Sequence, residues 1–128
     1  MPTKNLLAPK KLWLVLAVLW TLFIAVLCLV SFNKLPTVKL TEADKYVHAT
    51  FHLVFALLWF GYFQNAISRP LLKVFLGSLI YGILIEIMQS LFTQTRQADI
   101  KDVAANAFGA LLAVAVILIY QKQANTTH

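Results

Sequence analysis

Apolar residues gather along the chain in four long runs, with short polar breaks between them. The first run is Leu12 to Phe32, preceded by Lys10 and Lys11 and followed by Asn33, Lys34 and Pro36. The second extends from Asp44 to Phe63 and is closed by Asn65, Ser68, Arg69 and Pro70. A third covers Leu71 to Phe92 and gives way to Thr93-Gln94-Thr95-Arg96-Gln97. The fourth goes from Asp99 to Tyr120, ahead of the polar tail Gln121 to His128. Each run is about 20 residues long, and at about 1.5 Å per residue it matches a hydrocarbon core of about 30 Å. Backbone polar groups cannot stay unpaired in lipid, and barrel strands would be about half as long and alternating, so the runs are predicted to be helices. Short connections make neighbouring helices antiparallel. The expected fold is an all-α integral membrane four-helix bundle, up-down-up-down, forming one domain over 1–128 with spans near 12–32, 44–63, 71–92 and 99–120.

Composition supports that class. Of 128 residues 60% are hydrophobic and 12% charged, whereas a soluble domain carries about a quarter charged residues. Mean hydropathy is +0.76. The single cysteine, Cys28, can form no intrachain disulfide and reads as a buried, inert thiol. The net charge of +6 does not point to nucleic acid, because the basic residues are scattered between spans without an aromatic-interleaved patch. Lys and Arg beside spans are expected from insertion topology alone. The first run is longer than the roughly 7–15 residues of a signal-peptide core, and no Ala-x-Ala follows it, so it is expected to be retained. At the start of the second run, Thr41 fits a helix N-cap, with Asp44 as the returning carboxylate of a capping box.

The acidic residues sharpen the picture. All of them lie in three stretches: Glu42 and Asp44, then Glu86, then Asp99 and Asp102. In an up-down-up-down bundle these stretches share one face. The opposite face carries Lys4, Lys10, Lys11, Arg69, Lys73 and Lys122 and no acid. Helical spacing aligns Asp44, His48 and His52 on the second helix, Gly82, Glu86 and Gln89 on the third, and Asp99, Asp102, Asn106 and Gly109 on the fourth. His52, Glu86 and Asn106 are expected at one depth, roughly 9–12 Å below the surface. Gly77, Gly82 and Gly109 would let helices approach closely. Lys10 and Lys11, hard against the first span, favour cytoplasmic termini and an outward-facing polar site.

The ordered set Asp44-Lys45-Tyr46-Val47-His48 with Phe51 and Phe55, Glu86-x-x-Gln89, Arg96, Asp99-x-x-Asp102 and Asn106-x-x-Gly109 resembles the VanZ-like family. The resemblance covers about 44–111. It implies a small polytopic protein of the bacterial cell membrane, in a family named for a glycopeptide-resistance protein linked to teicoplanin. It implies no defined biochemical activity, and a direct role in drug resistance does not carry over.

Two functional readings follow. In the first, Asp44, Lys45, His48, Glu86, Gln89, Arg96, Asp99, Asp102 and Asn106 line a pocket for an anionic lipid or lipid-linked envelope intermediate, with Lys45, His48 and Arg96 on the phosphate. In the second, an intramembrane hydrolase uses His48 or Glu86 as general base and Asp99 or Asp102 as partner or metal ligand. No serine or cysteine nucleophile accompanies these groups, which favours binding over catalysis. A third, purely structural account keeps Glu86 in an ion pair with Arg96, Lys45 or a protonated His48 and assigns Asp99 and Asp102 to the helix dipole. Asn106 is expected to hydrogen-bond across helices. His48 and His52, one turn apart, could share a metal, with Asp44, Glu86 or Asp99 completing its shell. His52 lies outside the family pattern, and Lys45 and Arg96 can neutralise the acids, so neither a metal site nor a cofactor is expected. Trp13, Trp20, Trp59, Phe60, Tyr62 and Tyr120 read as packing and interfacial residues.

Overall fold

The computed structural model describes residues 9–29, 41–92 and 100–126, the side chains of 41–44, 92 and 125–126 excepted. Each apolar run is a helix: α1 (Lys10–Leu29), α2 (Thr41–Phe63), α3 (Pro70–Phe92) and α4 (Ile100–Thr126). Among the described residues there is no strand. All four helices are long and apolar enough to cross a membrane. The expected residues 30–32 and Asp99 lie outside the described ones. Helix α2 starts at Thr41, the position expected for its cap. Helix α4 continues past Tyr120 to Thr126, because Gln121, Lys122 and Gln123 are good helix formers and no glycine or proline stops them.

The turn between α2 and α3 is built from local chemistry. Gln64 Nε2 donates to the Gly61 carbonyl at 2.9 Å and satisfies one of the last carbonyls of α2. Arg69 takes a left-handed backbone with φ 50°. Pro70 then opens α3 at a position where its missing N–H is no loss.

The helices do not form a square ring. Helix α2 packs most extensively against α4, and α1 lies on α2 and α3 without touching α4 among the described residues. Helices α2 and α3 therefore form the middle, with α1 and α4 at opposite corners. Two glycines explain the closest approaches. A Cβ at Gly109 would run into the backbone of Ala49, so only glycine lets α4 lie this close to α2. At the other end, Gly61 lies beneath the Trp13 ring, which brings α1 onto α2. Gly82 also faces neighbours, Asn106 and His52. Gly77 differs from expectation: nothing lies within 4 Å of its Cβ position, and it borders an apolar groove with Phe55, Trp59 and Val74 instead of a helix contact.

Polar bonds fix α1. Trp20 Nε1 donates to the Phe51 carbonyl at 3.0 Å, Trp59 Nε1 to Thr21 Oγ1 at 3.0 Å, and Tyr81 Oη to the Thr21 carbonyl. Apolar packing follows two clusters. Ile24, Cys28, Phe51, Phe55 and Ile85 join α1, α2 and α3, while Ala56, Phe60, Val74, Ala113 and Ile117 join α2, α3 and α4. Cys28 is buried and unbridged, as its setting predicts. Leu19, Leu22 and Val26 of α1, Ile80 and Leu84 of α3, and Leu118 and Ile119 of α4 are exposed. His48, His52, Ser78, Glu86, Gln89, Asp102 and Asn106 are buried. Apolar residues outside and ionisable ones inside suit lipid as the solvent, since water would penalise such broad apolar exposure.

Candidate functional site

The buried polar residues meet where the first turns of α2 and α4 lie against the last turns of α3. Counted from the observed helix ends, His48, Glu86 and Asn106 each sit six to seven residues in. His52, also expected at that level, lies one turn further along α2, where it and Asn106 both come beside Gly82.

His48 is the hub. Its Nδ1–H donates to Asn106 Oδ1 at 3.1 Å, a bond between α2 and α4. The opposite ring nitrogen, Nε2, stands 3.9 Å from Asp102 Oδ2. Glu86 enters from α3, and one ligand atom each from His48, Glu86 and Asp102 lie within 4.8 Å of one another. All three side chains are buried. Asn106 Nδ2 is buried as well and has no hydrogen-bond partner among the described residues. Gly82 makes room for this amide, since a Cβ there would come 2.8 Å from Nδ2. The site is thus an acid–imidazole–amide cluster held by three helices.

His52 lies a turn deeper and turns elsewhere. Its Nδ1 shares a 2.8 Å hydrogen bond with Ser78 Oγ on α3. Among the described residues the group of ligand-bearing side chains that come together is His48, Glu86 and Asp102. Gln89 Nε2 donates to the Cys28 carbonyl at 2.8 Å, binding α3 to the end of α1. Lys45 is partly buried near the start of α2. Asp44 lies in the helical backbone of α2, but its side chain falls outside those described, as do Arg96 and Asp99 altogether. Sequence reasoning missed Ser78, although it continues the Gly82–Glu86–Gln89 stripe by one further turn of α3. It also missed that α1 would accept hydrogen bonds from this stripe, because a carbonyl such as that of Cys28 leaves no mark in the sequence.

Four membrane-capable helices that turn their polar residues inward define a multi-pass helical membrane protein. Within that class the chain matches the VanZ/LLP1 family over residues 6–121 and belongs to it. No curated protein and no solved structure matches the chain.

Proposed function

We propose that this protein resides in the bacterial inner membrane with both termini cytoplasmic, and that its polar cluster forms an outward-facing pocket for the head group of an anionic lipid or lipid-linked envelope intermediate. One observation carries the reading: His48, Glu86, Asp102 and Asn106 are buried together inside a bundle whose outer surface is apolar. A charged side chain at the bilayer centre costs about 2.5–3.5 kcal/mol on insertion scales, and the expense of burying ionisable groups from three helices supports a functional role for them. Lys45 and Arg96 supply the cations for phosphate. The carboxylates and the Asn106 amide suit the hydroxyl and amide groups of a head group.

Native mass spectrometry of the protein purified in mild detergent tests this. Wild type should retain an anionic lipid, and Arg96→Ala should lose it. Equal retention by both proteins would count against the reading. Turnover of a lipid phosphate that Glu86→Gln abolishes would replace it with the hydrolase.

A further inference from the structure

The geometry points to His48, Glu86 and Asp102 as the protein ligands of one divalent metal ion, of the kind taken by mixed imidazole–carboxylate sets. Their ligand atoms already lie within 4.8 Å of one another, contributed by α2, α3 and α4. Two atoms bound to a common ion at about 2.0–2.2 Å stand roughly 3–4.4 Å apart, depending on angle. The 3.9 Å between His48 Nε2 and Asp102 Oδ2 falls in that range.

The orientation of His48 is a second, separate observation. Metal-bound histidines commonly donate the other ring N–H to an oxygen acceptor, which fixes tautomer and ring plane. Here Nδ1–H is given to Asn106 Oδ1 at 3.1 Å, so the lone pair of a neutral ring is at Nε2, on the carboxylate side. Asn106 Nδ2 adds a buried donor without a partner among the described residues.

Three protein ligands leave coordination positions open, unlike a closed structural site. An imidazole with two carboxylates suits Zn²⁺ and Mn²⁺. An open position could take a phosphate oxygen, but the ion site does not depend on the lipid reading.

The test uses the full chain in detergent, stripped with chelator and then equilibrated with Mn²⁺ or Zn²⁺ alone. Wild type should bind about one ion per chain, and bound Mn²⁺ should show nitrogen coupling in pulsed electron paramagnetic resonance. Glu86→Gln and Asp102→Asn keep shape and should weaken binding at least tenfold, while His48→Gln should abolish the nitrogen coupling. His52→Gln should change neither. Circular dichroism of each variant establishes that it is folded. Folded wild type that binds neither ion, or folded Glu86→Gln and Asp102→Asn that bind as tightly as wild type, would overturn the assignment. Lipid retention measured on the stripped protein separates the two proposals: lipid held without metal leaves the head-group reading standing alone.

Discussion

His48 and Asn106 lie 58 residues apart in the chain, yet their side chains meet at 3.1 Å inside the bundle and join α2 to α4. The bond fixes the proton on Nδ1 and sets the direction of Nε2. Hydrogen bonds between membrane helices average about 0.6 kcal/mol and reach about 1.7. Asn106→Leu is therefore expected to lower unfolding stability by that order. It should also release the tautomer, which nitrogen chemical shifts of labelled His48 would report. Unchanged shifts would show that Asn106 does not orient the ring.

Close packing of the same two helices depends on Gly109. A Cβ at that position would meet the Ala49 backbone, which cannot move aside as a side chain can. Gly109→Ala should destabilise by about 1–3 kcal/mol, the usual cost of overpacking. Gly77→Ala should be neutral, since its Cβ position is open. Thermal unfolding of both variants in detergent tests the contrast, and equal behaviour would contradict the packing described.

Docking of α1 rests on polar contacts as much as on apolar ones. Gln89 Nε2 reaches the Cys28 carbonyl, and Tyr81 Oη reaches that of Thr21. Gln89→Leu and Tyr81→Phe should each cost about 0.6–1.7 kcal/mol. Proteolysis within α1 should increase in both, leaving α2 to α4 protected. Loss of protection throughout the bundle would mean that α1 is not a separately docked element.

The antiparallel arrangement predicts sidedness. Asn65, in the α2–α3 turn, and Ile100, at the start of α4, are both exposed and belong to opposite ends of the bundle. Membrane-impermeant maleimide added to intact spheroplasts should label Ile100→Cys and not Asn65→Cys. Buried Cys28 should contribute little background. Labelling of both from one side would break the four-span topology, and labelling of Asn65→Cys alone would invert the orientation.

Much of this architecture was legible in the sequence because lipid leaves so few choices. Runs of about 20 apolar residues must be helices, and short breaks make them antiparallel. The polar stripes on α2, α3 and α4 were readable from spacing, and Asn106 makes the cross-helix bond that its position suggests. The level of α2 was less legible. Thr41 to Ala43 lie outside the apolar run, and counting from Asp44 brings His52 level with Glu86, whereas it is His48 that meets Glu86. Its stripe places Gln89 on the polar face of α3, but the Cys28 carbonyl that its Nε2 reaches is a partner no pattern reveals. Gly77 and Gly82 look alike in sequence, and only the positions of the neighbouring helices separate an open groove from a close approach.

Head-group binding at the cluster of His48, Glu86, Asp102 and Asn106, as proposed, dictates where a lipid probe attaches. The measurement is cross-linking with an anionic phospholipid carrying a photoreactive group in its head group, the modified residues being mapped by peptide mass spectrometry. Adducts should concentrate on the segments around His48, Glu86 and Asp102, and a zwitterionic probe should not reproduce them. Adducts spread over the exposed apolar faces at Leu19, Ile80 and Leu118, equally with both probes, would exclude head-group binding at the cluster.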